Sequence, residues 1–169
     1  VTVSGATPGR KVVEAADPRG ADVQTALAAY FAELSVVFGR TFAASVPSDV
    51  EAARYEPPHG ACLVARLDGR VVGTASLAPL PTDDDGPAPV GEVKRMWVDG
   101  EVRGLGFGRL LLRAVHDRAV ALGFERLRLD TQAELSAARH LYASAGYVEI
   151  ERYNDNPYAT HFYELVLPA

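Results

Sequence analysis

The chain is short of several things. It has one cysteine, Cys62, in 169 residues. An internal disulfide and a cysteine-built zinc site are therefore excluded. Cys62 lies inside an apolar run, where an inert core thiol is expected. The four histidines, His59, His116, His140 and His161, are scattered without H-E-x-x-H or any paired spacing, so no metal site is expected. "DDDG" at 83–86 resembles a fragment of a calcium loop without its other ligands. No G-x-S-x-G elbow occurs, and no apolar run approaches the roughly 18 residues of a spanning helix. The opening "VTVSGATPGR" lacks the apolar core of a signal peptide and reads as a flexible lead-in, residues 1–10, so a cytoplasmic setting with no membrane partner is expected. Positive charge is also in short supply: 17 Lys and Arg against 22 Asp and Glu give a net charge of -5, with no basic stripe. That argues against a nucleic-acid partner and leaves room for a small basic pocket.

What remains is an ordinary globular composition, 48% hydrophobic and 23% charged. One domain over 11–169 is expected. "KVVEAAD" reads as a strand, followed by a helix with Asp17 as its cap and Pro18 in its first turn. Val23, Leu27, Tyr30, Phe31, Leu34 and Val37 share one face of that helix, which ends near Gly39. Residues 40–59, with three prolines, allow at most a short second helix. Asp68-Gly69 between two apolar runs predicts a hairpin. Residues 81–89 read as an exposed loop, and "VGEVKRMWVD" is a third consecutive strand. A helix over about 107–122 stopped by Gly123, a strand "FERLRLDT", a helix "ELSAARHLYASAG" and two closing strands complete the order. The fold class is α/β, with a mixed sheet covered by helices on its faces.

The stretch "VRGLGFGRLLLRAVHDRAVALG" places Gly104, Gly106 and Gly108 at the entrance of the most convincing helix. Glycine costs a helix roughly 1 kcal/mol relative to alanine. It also permits positive φ and close backbone approach, while a helix start offers free N–H groups and a positive dipole end. Together with the charges of Arg103 and Arg109, this pattern suits a phosphate or pyrophosphate, or else it is a plain glycine-rich turn. A P-loop is excluded because Arg109 and Leu110 follow Gly108 in place of Lys and Ser/Thr. A dinucleotide fingerprint would use Asp130 downstream, but its third glycine would fall at Arg109, and three antiparallel strands precede the loop.

Arg103-x-x-Gly106-x-Gly108 resembles the R/Q-x-x-G-x-G/A motif of the GNAT superfamily of N-acetyltransferases. The order of elements over about 11–167 is similar to that family's, and "HLYASAGY" at 140–147 looks like its L-Y-x-x-x-G-F/Y segment. The ending "RYNDNPYATHFYELVL" is similar to tails of a bacterial subgroup, some of them fused to MarR-type DNA-binding domains. The resemblance implies a mostly antiparallel sheet of six to seven strands flanked by about four helices, and acetyl-coenzyme A as co-substrate. It implies that backbone groups of Met96, Trp97 and Val98 meet the pantetheine arm. The pyrophosphate would meet backbone N–H groups of Arg103, Gly104, Leu105, Gly106, Phe107 and Gly108, with Arg109 adjacent. Ala138 matches a cofactor-contacting position, whereas Leu135 stands where many members carry asparagine.

Acetyl transfer needs an amine that loses its proton, donors for a developing oxyanion, and an acid for the thiolate. The resemblance points to Tyr142 as the acid, unless it simply packs on the helix's buried side. It points to Glu92 as a base acting through water, with Glu33 and Glu56 as rivals. An edge-facing or ion-paired Glu92 is the plainer reading. On the acceptor side, "YNDNPYATH" supplies Tyr153, Asn154, Asn156, Tyr158 and His161, which would orient a small polar amine or merely form a turn. Arg40 and Tyr55 are further acceptor candidates. The expected function is acetylation of a primary amine of a small molecule by direct attack in a ternary complex. The other readings are a protein N-terminus or lysine as acceptor, and a non-catalytic acyl-coenzyme A sensor. Family habit implies a homodimer.

Overall fold

The computed structural model describes residues 9–81 and 89–168. The calcium-like fragment at 83–86, nearly all of the 81–89 loop and most of the 1–10 lead-in lie outside them.

Strand β1 (Lys11–Ala15) is followed by helices α1 (Ala21–Phe38) and α2 (Asp49–Ala53). Strands β2 (Ala61–Leu67), β3 (Arg70–Pro79) and β4 (Val90–Val98) come next, then α3 (Phe107–Ala121). Strand β5 (Arg126–Thr131), helix α4 (Ser136–Ser144), β6 (Val148–Ile150) and β7 (His161–Val166) close the chain. The seven strands form one sheet in the order β1-β2-β3-β4-β5-β7-β6, antiparallel throughout except at β4–β5. Asp68 and Gly69 both take positive φ, 49° and 87°, as a two-residue turn between right-twisted strands requires.

Two local expectations change. Helix α1 is capped by Gly20 rather than Asp17. The Asp17 carboxylate accepts the Arg19 N–H at 2.8 Å and its carbonyl accepts the Gly20 N–H, so a turn occupies the residues assigned to the first helical turn. Val37, placed on the buried face, is 42% exposed because the end of α1 runs beyond the sheet's cover. The closing segment after Gly146 pairs over only three residues of β6. Beyond it, Arg152 holds an irregular loop by donating to the carbonyls of Asn154, Asn156 and Ala159 at 3.0–3.3 Å.

The sheet separates two cores. On one face α3 and α4 bury Phe107, Leu111, Leu112 and Val115 against Leu63, Leu77, Leu127 and Leu129. Each such side chain contributes roughly 1.5–3 kcal/mol on burial. On the other, α1 lays Val23 and Leu27 over Cys62, Val64 and Ala78, with Tyr55 beside them. Alternation along β5 follows this division: Leu127 and Leu129 are buried toward α3, and Arg126, Arg128 and Asp130 point to the α1 side. No helix among the described residues is long and apolar enough to cross a membrane.

Candidate active site

The site begins as a defect in the sheet. β4 pairs with β5 only from Val90 to Glu92, opposite Arg126 to Arg128. β5 continues to Thr131 on its other neighbour, β7, while β4 runs on to Val98 with β3 alone. From Val93 onward, that edge of β4 has no strand beside it. The register to β3 slips between Thr74 and Ser76, and Arg95 sits in the slip with a φ of 54°. A bulge of this kind bends a strand and re-aims its side chains. Here it puts Lys94 and Arg95 on the α1 side together: Lys94 Nζ pairs with Glu92 at 3.1 Å, and the Arg95 guanidinium lies 5.1 Å from the Tyr55 ring centre.

Past β4, a single turn of 3-10 helix at Gly100–Val102 leads into the glycine loop. Gly104 and Gly106 take φ of 83° and 87°, a region costly to residues with a Cβ, and Gly106 caps α3. Gly108 is helical, and its hydrogen faces α4: a Cβ there would stand 3.1 Å from Leu141 Cδ2. Two of the three glycines thus shape the loop and the third lets two helices approach. The N–H groups of Arg103 and Leu105 serve turn bonds to Gly100 and Val102. Those of Phe107, Gly108 and Arg109, in the first helical turn, have no intrahelical partner.

Between the β4 end, this loop and α4 lies a cleft of about 390 Å³. Met96, Trp97, Val98, Arg103, Gly104, Gly106, Phe107, Gly108, Arg109, Ala138 and Tyr142 all line it, together with Glu33 and Leu135. Leu105 stands outside the lining, and its carbonyl accepts the Lys11 ammonium, which pins the loop to β1. The free β4 edge, the unpartnered first-turn amides and the two left-handed glycines fit a long ligand with an amide-bearing arm and a pyrophosphate. Arg103 is engaged elsewhere: its guanidinium donates to both Glu33 carboxylate oxygens, at 2.6 Å to Oε2, and to the Val98 carbonyl at 3.0 Å. Trp97 Nε1 donates to the same Glu33 at 2.9 Å. Glu33 therefore clamps α1 to the β4 end, and Arg109 is the loop's cation without an ion pair among the described residues. Glu56, the other rival base, pairs with Arg19 at 3.4 Å.

Tyr142 is 6% exposed, walled by the rings of Tyr147 and Tyr163. Burial, then the neighbouring Tyr30 and Asp130, raises its phenol above the ordinary range, so it holds its proton at neutral pH.

On the α1 side of the same opening, the tail loop lays a polar network over two carboxylates. Glu92, 5% exposed, accepts from the Tyr153 hydroxyl at 3.1 Å and from Asn154 Nδ2 at 3.5 Å. Asp130 accepts from Asn154 Nδ2 at 2.6 Å and from Asn156 Nδ2 at 3.1 Å. Asn154 thus bridges the two acids across the β4–β5 split. Burial, Glu92 and Asp130 together raise the Tyr153 phenol. Tyr30 of α1 is pushed up to about 12 by burial and Asp130, an effect opposed by Arg95. Tyr158 stands further out, edge-on to Phe42 and beneath the Arg40 guanidinium. His161 bonds its neighbour Thr160 and has no hydrogen bond to either carboxylate among the described residues. Tyr55 is 6% exposed and serves as the platform for Arg95.

The sequence reading passed over Lys94, Arg95 and Tyr30, and weighed Asp130 only as a dinucleotide ligand. Asp130 did leave a signal, a charge in the alternating polar row of β5. Tyr30 left none, since it fits an apolar helical face. Among the described residues no group of three or more His, Cys, Asp or Glu side chains is arranged to hold a metal ion.

Comparison with known proteins agrees with this geometry. The sequence model of the acetyltransferase (GNAT) family matches residues 28–147. An uncharacterized N-acetyltransferase of Schizosaccharomyces pombe is 38% identical over 105 residues, 62% of this chain and 61% of that protein. The chain thus spans less than two thirds of that relative's length. An IAA acetyltransferase of Azospirillum brasilense is 32% identical over 131 residues, 78% of this chain and 82% of that one. Among solved structures, a GNAT-family acetyltransferase from Staphylococcus aureus superposes with a TM-score of 0.73 at 20% identity, covering 94% of this chain and 100% of its own.

Proposed function

The chain belongs to the GNAT acetyltransferase family, and from that premise we propose that it is an N-acetyltransferase that transfers acetyl from acetyl-coenzyme A to a primary amine of a small molecule, by direct attack in a ternary complex. The observation that carries this reading is the opening of β4 from β5. It has the glycine loop at its mouth, and it puts the free backbone edge on one side and two bridged carboxylates on the other.

Acetyl-coenzyme A supplies an acetyl group already activated as a thioester. The chain's own groups then divide the work. First-turn amides of α3 and Arg109 hold the pyrophosphate, and the β4 edge at Met96 to Val98, which has no strand on that side, aligns the amide-bearing arm as an added strand would be aligned. The amine enters from the α1 side, where acidic and amide groups converge. Its nitrogen bonds to the acetyl carbon as the carbon–sulfur bond breaks. Tyr142 gives its proton to the departing sulfur. Of the two protons an ammonium sheds, one leaves through the carboxylates to solvent and one restores Tyr142.

Glu92 is the base in this reading, acting through water. A second reading gives that role to Asp130, because Glu92 is already paired with Lys94 at 3.1 Å whereas Asp130 accepts only from neutral amides among the described residues. The test is acetyl-coenzyme A consumption over a panel of amines by the wild type, Glu92→Gln and Asp130→Asn. Turnover that falls about 100-fold in one variant names the base. Coenzyme A binding without turnover on any amine would favour a sensor.

A further inference from the structure

The α1 side of the opening contains two opposite charges that do not meet. Asp130, on β5, accepts two carboxamide N–H groups and has no cation of its own among the described residues. Arg95, on β4, has its guanidinium over the Tyr55 ring, and neither a hydrogen bond nor an ion pair to any described residue. Both exert their charge on Tyr30 of α1, Asp130 raising and Arg95 lowering its phenol. Of the other charges, Glu92 pairs with Lys94, Glu33 with Arg103, and Glu164 with Arg126 and Arg128, while Arg95 also exerts its charge on Glu51 of α2, with which it forms no ion pair.

A half-buried guanidinium stacked on an aromatic ring presents its in-plane N–H groups outward in a rigid fork suited to a carboxylate. Its backbone adds a second observation. Arg95 is one of two non-glycine residues with positive φ among the described residues; the other, Asp68, belongs to a tight turn. A strand does not adopt that conformation for its own pairing, and strain of this kind persists where it aims a side chain. Without the bulge, Lys94 and Arg95 would point to opposite faces, and the arginine would be driven into the apolar core beneath α3.

We propose that the acceptor is an amine that also carries a carboxylate, an α-amino acid or close analogue, with its ammonium on Asp130 and its carboxylate on Arg95. The proposal rests on the transfer reading above for the position of the amine, and it narrows the acceptor to a zwitterion. A polyamine offers nothing to Arg95, and the N-terminus of a protein has lost its α-carboxylate to a peptide bond. Buried polar groups left unpaired are what make such a site reject the analogue lacking the partner group.

The experiment uses matched acceptors: phenylalanine with phenethylamine and phenylalaninamide, leucine with isoamylamine, arginine with agmatine, and histidine with histamine. Each is assayed with acetyl-coenzyme A on the wild type, Arg95→Gln and Arg95→Lys. The expected wild-type result is a kcat/KM at least 100-fold higher for one or more amino acids than for their carboxylate-free partners. Arg95→Gln is expected to remove most of that preference through KM while leaving the carboxylate-free amines unchanged. Arg95→Lys should restore part of it. Equal use of both members of every pair, or an equal loss on both in Arg95→Gln, overturns the proposal.

Calorimetric titration of the same amino acids into the coenzyme A complex keeps the two readings apart. Arg95-dependent binding without turnover would retain the zwitterion site and sink the transfer reading. Turnover of carboxylate-free amines alone would do the reverse, and absence of both binding and selectivity sinks the zwitterion site. Thermal stabilisation by acetyl-coenzyme A, expected to be the same in all three proteins, shows that the variants are folded and that the cofactor cleft is intact.

Discussion

The two faces of the sheet at the β4–β5 opening use different materials. Toward α3 and α4 the surroundings are apolar, and the polar work falls to backbone: unpaired amides of the β4 edge and the first helical turn, exposed by glycines. Toward α1 the backbone does little. The work is done by side chains: Glu92, Asp130 and the 153–156 loop are joined by hydrogen bonds of 2.6–3.5 Å, and the charges of Asp130 and Arg95 act on Tyr30. A surface made of backbone binds an invariant ligand and tolerates many side chains. A surface made of side chains discriminates, because each buried polar group requires its partner. In the proposed transfer, this division gives the constant half of the reaction, the acyl carrier, to one face and the variable half, the acceptor, to the other.

The sharpest break in that comparison is Tyr142, which belongs to the apolar face by packing and, in the proposed transfer, to the chemistry by its proton. Tyr142→Phe is expected to lower kcat by about 100- to 1,000-fold, the usual range for loss of a proton donor. The melting-temperature rise on adding acetyl-coenzyme A should be preserved, because the ring remains. Turnover at the wild-type rate would take the acid role away from this residue.

Next in size is a backbone test of the α3 face. Gly106→Val puts a β-branched residue at a φ of 87° and is expected to cost about 1–2 kcal/mol of stability and most of the acetyl-coenzyme A-induced melting shift. Gly108→Ala should lose less than about 1 kcal/mol, since its methyl would press on the end of one flexible leucine side chain at 3.1 Å. Melting curves with and without ligand check both. Equal effects at the two glycines would mean that loop shape is not what the ligand reads.

The same contrast decides what could be read from the sequence. The glycine loop and the α3–α4 face were legible because their information is local: positive φ demands glycine, and an apolar helical face has a period. Asp68-Gly69 declared its hairpin for the same reason. The acceptor face was half legible. Glu92, Tyr153, Asn154 and Asn156 were named, yet nothing in their spacing says that Asn154 reaches both Glu92 and an aspartate 24 residues before it. Arg95 was hidden because a bulge changes which face a strand residue occupies, and a bulge arises from pairing across strands. The α1 start was misplaced for a smaller reason: Asp17 and Pro18 suit a turn as well as they suit a helix cap.

A smaller effect is expected at the clamp between the two faces. Glu33 takes the Arg103 guanidinium and the Trp97 indole, and so ties α1 to the loop that begins the cofactor cleft. Glu33→Gln keeps an acceptor for Trp97 and removes the charge opposite Arg103, a partly exposed pair worth no more than about 1 kcal/mol. Its expected signature is a KM for acetyl-coenzyme A raised a few-fold with kcat unchanged. A fall in kcat instead would make Glu33 part of the chemistry, as a base in place of Glu92 or Asp130.

The weakest effect concerns acid. His116 of α3 meets the Tyr147 hydroxyl at 3.1 Å, and burial lowers its pKa, with Asp117 opposing. The unfolded chain therefore takes up this proton near pH 6.5 while the folded chain still excludes it. Stability from this residue is complete above about pH 6.5 and is lost as the pH falls from there through the lowered folded value. His116→Gln, which can still pair with Tyr147, should flatten the melting temperature between pH 7 and 5 and leave it nearly unchanged at pH 8. If the slope survives the substitution, His116 is not the source of the acid sensitivity.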